Sequence, residues 1–165
     1  MNQIIIANLI SLLPFLLIIS IFLYYPFQLM KLVIPIFSLK FIVGYFASII
    51  VPEFIKPKVV NLSPIMQRPE GACGCDYFSE KGDVSGNPGF PSGHMSSVAF
   101  FTTFNLIYLL NLKINKKTKN FLIFLNILLL GSTGWARWIK KCHNMAQISA
   151  GTITGILIAL IFHKI

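Results

Sequence analysis

The sequence is poor in charged residues, above all in acidic ones. Only 12% of its 165 residues are charged, and five of them are Asp or Glu against 14 Lys or Arg. A soluble domain usually carries about twice that charged fraction, whereas 55% of this chain is hydrophobic and its mean hydropathy is +0.74. The composition excludes an ordinary soluble enzyme and indicates an integral membrane protein.

The sequence also lacks the clustered basic patch that nucleic-acid binding requires. The net charge is +9, but the basic residues are scattered between apolar segments and are not interleaved with aromatic side chains. We therefore expect membrane lipids, not nucleic acid, to be the anionic partners. Association of the chain with copies of itself stays open.

Apolar runs predict an all-α membrane bundle of about five transmembrane helices. Each run is roughly 17–25 residues long, which is enough to cross the hydrocarbon core of a bilayer. Because five spans with short loops use the whole chain, residues 1–165 are expected to form one domain, with kinks at Pro14 and Pro35. The predicted spans are 3–25, 27–51, 94–112, 120–136 and 144–162.

The distribution of lysine predicts the orientation of this multi-pass protein. The loop "NLKINKKTKN" contains four lysines, which is the strongest cytoplasmic signal in the chain. If spans alternate from that loop, the polar loop 52–93 and the short connection 137–143 both lie on the extracytoplasmic side. All five acidic residues fall in the first of these segments.

The rare arginines and histidines converge on that predicted face. The only two arginines of the chain, Arg68 and Arg137, fall on this face. Two of its three histidines, His94 and His143, fall there as well. Guanidinium groups bind phosphate oxygens in a bidentate manner, and imidazole can act as a nucleophile or proton donor near neutral pH. This combination favours phosphate chemistry at a membrane surface.

The stretch "PSGH" adds an anion-binding element. Ser92 and Gly93 are placed at the start of the third predicted span, where free backbone N–H groups and the helix dipole favour an anion. Pro91 fixes the entry of the chain, and Gly93 allows close approach of the backbone. His94 is the titratable group beside this anion site.

Three segments together resemble the signature of the type-2 phosphatidic acid phosphatase superfamily, the lipid phosphate phosphatases. They are "NLSPIMQRP" (61–69), "PSGH" (91–94) and "ARWIKKCHNMAQ" (136–147). The resemblance implies a helical membrane fold with an active site at the extracytoplasmic interface. It further implies hydrolysis of a lipid phosphomonoester or pyrophosphate, such as phosphatidic acid or polyprenyl diphosphate, without a metal or other cofactor.

The resemblance also implies a role for each matching residue. His143 corresponds to the nucleophile that forms a phosphohistidine, and His94 to the group that protonates the leaving oxygen and then activates water. Pro69 and Pro91 support the first two motifs. The groups implied to bind phosphate are Arg68, Ser92, Gly93 and Arg137.

Three positions depart from the family pattern. Asn61 replaces a lysine, for which Lys58 is a poor substitute, and Ala136 replaces a serine. Gln147 replaces the aspartate that supports the nucleophile; it can still accept a hydrogen bond from His143 but cannot offset its charge. An alternative function is therefore a catalytically weak or inactive relative that binds lipid phosphate or acts as a scaffold. For an active enzyme, Gln147→Asp is expected to increase activity.

The three cysteines leave two arrangements open. Cys73, Cys75 and Cys142 all fall on the predicted extracytoplasmic side, where disulfides persist. Either Cys73 or Cys75 is bonded to Cys142 and ties the polar loop over the site, or all three thiols stay free.

Overall fold

The computed structural model describes residues 5–10, 39–75 and 82–164. Within these ranges the regular structure is helical, which confirms the predicted all-α class, and a single isolated bridge joins Gln67 and Pro88. Residues 5–10 are also helical. The longer elements are α1 (Leu39–Val59), a 3-10 helix (Pro64–Met66), α2 (Gly93–Asn111), α3 (Lys116–Ile139) and α4 (Met145–Lys164).

The last three predicted spans correspond to α2, α3 and α4, with ends that differ by a few residues. The largest difference is at α3, which begins at Lys116 because Asn115 caps it: its side-chain Oδ1 accepts a hydrogen bond from Lys117 N at 2.8 Å. Apart from residues 5–10, the first predicted span and the kinks at Pro14 and Pro35 lie outside the described residues.

The prediction that helix gives way to polar loop at residue 52 was wrong. Helix α1 continues through Pro52 and Pro57 and ends at Val59. A proline removes one backbone donor from a helix, and packing against neighbouring helices makes this tolerable. Pro52 is buried against the start of α2, about 4.0 Å from the Cβ position of Gly93.

Two glycines bring the backbones of α2 and α4 into direct contact. A Cβ atom on Gly151 would lie 2.3 Å from the carbonyl oxygen of Ser92, and one on Gly155 would lie 2.1 Å from that of Ser96. Any side chain at either position would force the helices apart. This small-xxx-small spacing is a common helix contact in membrane proteins.

An aromatic cluster joins α1, α2 and α4 away from the polar loop. The ring centroid of Phe41 is 5.5 Å from that of Phe100 and 5.3 Å from that of Phe104. Ile158 and Ala159 of α4 complete the cluster. Buried aromatic and aliphatic side chains thus fix the relative positions of these three helices.

Within the described ranges, α3 and α4 are the helices long and apolar enough to cross a membrane by length and composition. Many apolar side chains of α3 are exposed on the surface of the protein, including Phe121, Phe124, Ile127 and Leu128. Helices α2, α3 and α4 follow one another through short connections. The start of α2, the end of α3 and the start of α4 therefore meet at one end of the bundle, and the lysine-rich α2–α3 connection lies at the other.

Candidate active site

The segment that contains Arg68 is held in place by backbone hydrogen bonds to the segment before α2. Arg68 N donates to Asn87 O at 2.8 Å, and Gly86 N donates to Arg68 O at 3.1 Å. A third bond joins Gly89 N to Met66 O at 2.9 Å. The arginine motif and the approach to the "PSGH" motif therefore form one antiparallel pair, which places Arg68 beside the start of α2.

The "PSGH" motif forms the N-terminus of α2 as the sequence predicts. Ser92 is the N-cap, and its Oγ accepts a hydrogen bond from Met95 N at 3.4 Å. Its own N–H donates to the carbonyl of Gln147 at 3.1 Å, which joins this end of α2 to the start of α4. Pro91 and Ser92 are buried. First-turn amides, such as that of Gly93, have no partner within their own helix and favour an anion here.

Arg137 occupies the last turn of α3 and is almost completely buried, at 1% exposure. Its Nη2 donates to Cys75 O at 2.7 Å. Its carbonyl accepts hydrogen bonds from the N–H groups of Cys142 at 3.1 Å and His143 at 3.4 Å. The second arginine is thus fixed both to the polar loop and to the connection that contains the histidine.

A disulfide fastens the polar loop to that connection. Cys75 is bonded to Cys142, with 5.4 Å between their Cα atoms, whereas Cys73 is a free and exposed thiol. Lys140 Nζ donates to Gly74 O at 2.7 Å and adds a second link. Of the arrangements that the sequence leaves open, the structure contains the Cys75–Cys142 bridge.

Gln147 is completely buried and lies at the centre of a hydrogen-bond network. Its Oε1 is 3.0 Å from His143 Nδ1 and accepts from Asn144 N at 3.3 Å. Its Nε2 donates to the carbonyls of Ile65 at 2.9 Å and Gln67 at 2.7 Å. One amide therefore connects the histidine to the segment that precedes Arg68.

This network fixes the tautomer of His143. Because Gln147 Nε2 faces two carbonyl oxygens, its Oε1 must be the atom that faces the imidazole, and an amide oxygen can only accept. Nδ1 of His143 consequently holds the proton and donates it. Nε2 is left with the lone pair that a nucleophile needs.

The positive charges of three side chains act on both imidazoles. Arg68, Arg137 and Lys56 lie within electrostatic range of His94 and of His143, and the two histidines also interact with each other. Burial lowers the pKa of His143 well below its ordinary value, Arg137 and Arg68 lower it further, and the hydrogen bond with Gln147 opposes these effects. His143 is therefore neutral at physiological pH, in a region that attracts anions.

A cavity of about 430 Å³ adjoins the Arg68 side of this cluster. Neither histidine is among its lining residues, so the cavity extends from the site and is not centred on it. The lining residues are Glu53, Lys56, Pro57, Arg68, Val84, Asn87 and Pro88.

The remaining predicted residues differ in where they lie. Pro69 is partly buried next to Arg68, and Ala136 is buried beside Arg137. Asn61 is exposed in the turn that follows α1. The predicted site residues thus gather at one end of the bundle, with Asn61 at the margin.

Lys56 lies beside the candidate site, and the motifs of the sequence did not single it out. It is buried, at 9% exposure, and lines the cavity together with Arg68. Its burial could have been predicted from its position on the helix, because Lys56 continues the spacing of Gly44, Ser48 and Pro52 on one face of α1. A helix that ends at residue 51, as the apolar run predicts, leaves Lys56 out of this pattern.

In the described ranges, no three His, Cys, Asp or Glu side chains are grouped so that they could hold a metal ion. That the chain requires no metal or other cofactor is implied by the sequence resemblance and stays a prediction.

The sequence profile of the PAP2 superfamily matches residues 37–165. The chain belongs to the PAP2 superfamily. The match includes α1 to α4 and every site residue described above, so the family assignment rests on far more of the chain than the three short motifs. No curated protein and no solved structure matches the chain.

Membership of the PAP2 superfamily gives the general kind of activity. Members of this superfamily are phosphatases, so the chain is a phosphatase-family protein of the hydrolase kind. Its helical fold agrees with that of the PAP2 superfamily.

Proposed function

We propose that this protein is a membrane lipid phosphatase that hydrolyses a lipid phosphomonoester or pyrophosphate through a phosphohistidine on His143. The observation that carries the proposal is the hydrogen bond between His143 Nδ1 and Gln147 Oε1, at 3.0 Å. It leaves Nε2 of a neutral, buried imidazole as the nucleophilic atom among two arginines and a second histidine.

In the first step, Nε2 of His143 attacks the phosphorus, and the bond from phosphorus to the lipid oxygen breaks. The leaving oxygen takes a proton from protonated His94, a form that the negative charge of a bound phosphate favours. Arg68, Arg137 and the N-terminus of α2 hold the remaining phosphate oxygens as charge develops.

In the second step, neutral His94 takes a proton from water while the water oxygen attacks the phosphohistidine. The bond between nitrogen and phosphorus breaks and returns His143 to its starting form. The products are inorganic phosphate and a lipid alcohol, or a lipid monophosphate when the substrate is a pyrophosphate. No proton or electron is left over, and the cycle requires no metal.

A lipid substrate suits the exposed apolar surface of α3 and the apolar length of α4. A substrate whose tail stays in the bilayer reaches a site at the end of these helices without passing through water. We propose five spans in total, with the site on the extracytoplasmic side, opposite the lysine-rich connection.

The test is release of inorganic phosphate from short-chain lipid phosphates and pyrophosphates by the detergent-purified protein, with and without EDTA. We expect activity that is unaffected by EDTA and that falls at least about 1,000-fold in His143→Ala. If neither wild type nor the variant releases phosphate from any of several lipid classes, the enzymatic proposal is refuted.

A second candidate function is binding of a lipid phosphate without turnover. The observation that favours it is the neutral Gln147 beside His143, because an amide cannot stabilise the imidazolium as a carboxylate does. Under this alternative, the protein binds inorganic phosphate but releases none from any lipid phosphate.

A further inference from the structure

One face of α1 places a buried lysine, Lys56, beside the start of α2. The buried residues of this helix are Phe41, Gly44, Ser48, Pro52 and Lys56, spaced three or four residues apart along a single face. That face packs on α2, where a Cβ on Gly44 would lie 2.6 Å from the ring of Phe100. Lys56 is the last residue of the face, at the end of the helix nearest the candidate site.

The Lys56 ammonium lies next to the anion-binding end of α2. Its Nζ is 3.9 Å from the Cβ position of Gly93, and its side chain is 11% exposed. Its charge acts on both His94 and His143. A buried ammonium at this distance is within reach of an anion that is bound by the first turn of α2.

The two other polar candidates near this end of α1 point elsewhere. Lys58 and Asn61 are both exposed. Asn61 occupies the position of the family's lysine, but it stands in a turn and brings no charge. In this chain, a positive charge for the phosphate can instead come from Lys56, five residues before Asn61, on the buried face of α1.

Glu53 holds Lys56 and also limits it. The two side chains form an ion pair, and the Glu53 side chain is 59% exposed. Glu53 Oε1 lies 3.2 Å from the Cβ position of Gly93, so a carboxylate is present where an incoming phosphate would experience its repulsion. The carboxylate fixes the ammonium near the site at some cost in anion affinity.

We propose that Lys56 contacts the substrate phosphate in place of the motif lysine that Asn61 replaces, and that Glu53 positions its ammonium beside Gly93. This inference rests on the proposed function for the identity of the substrate. The contact itself is a claim about anion binding and can be measured without turnover.

The experiment compares Lys56→Gln with Lys58→Gln, a matched control two residues away on the exposed face. Titration calorimetry with inorganic phosphate measures affinity in the detergent-purified full chain, and phosphate release from a short-chain lipid phosphate gives KM and kcat. We expect Lys56→Gln to weaken phosphate binding and to raise KM by roughly tenfold or more, as for removal of one charged hydrogen bond. Lys58→Gln should equal wild type in both.

Glu53→Gln provides a second variant in case Lys56→Gln does not fold. The amide oxygen of Gln can still accept a hydrogen bond from Lys56 Nζ, while the negative charge beside the bound anion is removed, so we expect phosphate to bind severalfold more tightly. The inference is overturned if Lys56→Gln binds phosphate as wild type does, if Lys58→Gln binds it as weakly as Lys56→Gln, or if Glu53→Gln leaves affinity unchanged or weaker.

The two readouts separate this inference from the proposed function. If wild type releases no phosphate from any lipid, the enzymatic proposal fails, and the calorimetric comparison still decides the role of Lys56. If wild type is active but Lys56→Gln keeps both its KM and its phosphate affinity, only the assignment of Lys56 fails.

Discussion

Gln147 and Asn61 both stand where the family motifs have a charged residue, but the regions around them are built differently. Gln147 is completely buried and uses its side-chain amide in hydrogen bonds to His143 and to the backbone of two other segments. Asn61 is exposed in the turn after α1. At the first position the surroundings fit the amide; at the second the side chain lies outside the site.

A departure from a motif therefore has to be judged by the contacts of the residue that replaces the usual one. At position 147 the carboxylate is replaced by a group that both accepts from the imidazole and donates to two carbonyls, which a carboxylate cannot do. At position 61 the missing charge is supplied, on our proposal, by Lys56. Three variants test this comparison.

The largest effect is expected for Gln147→Ala. The change removes the acceptor for His143 Nδ1 and the donor to the carbonyls of Ile65 and Gln67. We expect activity to fall at least about 100-fold and the free energy of unfolding to fall by about 2–4 kcal/mol. Phosphate release and denaturant unfolding measure the two quantities. A stable and active variant would contradict the central place given to this side chain.

An intermediate effect is expected for Gln147→Asp. The sequence alone predicts a gain in activity, because a carboxylate stabilises the imidazolium. The hydrogen bonds of Gln147 lead us to the opposite expectation, since Asp offers no donor to the carbonyls of Ile65 and Gln67 and is one methylene shorter. We expect about 1–3 kcal/mol less stability and activity no higher than wild type. Increased activity in the same phosphate-release assay would restore the simpler explanation.

The smallest effect is expected for Asn61→Ala. Because this side chain is exposed, its removal should change KM and kcat by about twofold at most and the free energy of unfolding by less than ~0.5 kcal/mol. The same two assays apply. A tenfold rise in KM would place Asn61 in the site and weaken the case for Lys56.

The parts of the fold that depend on local pattern were predictable. Long apolar runs predicted α2, α3 and α4 to within a few residues, and the motifs singled out residues that meet at one end of the bundle. The length of α1 was not predictable in this way. Pro52 and Pro57 are typical helix breakers, whereas packing of the buried face keeps the helix intact to Val59.

Contacts between distant segments could not be predicted for a different reason. The four-residue spacing of His143 and Gln147 predicts their hydrogen bond, which forms although His143 lies before the start of α4. Nothing local reveals that the same amide reaches Ile65 and Gln67. Likewise, cysteine positions cannot decide whether Cys73 or Cys75 is bonded to Cys142. Both depend on how the polar loop folds over the helix ends.

The contact between Gly151 and the Ser92 carbonyl has a consequence for how this protein can vary. Main-chain atoms, not interlocking side chains, set the gap between the two helix ends that form the site. Residues on the outward surfaces can therefore change with the thickness or composition of the host bilayer while the gap is preserved. In the membrane site that we propose, the spacing of the reactive groups therefore does not depend on the residues that face the lipid.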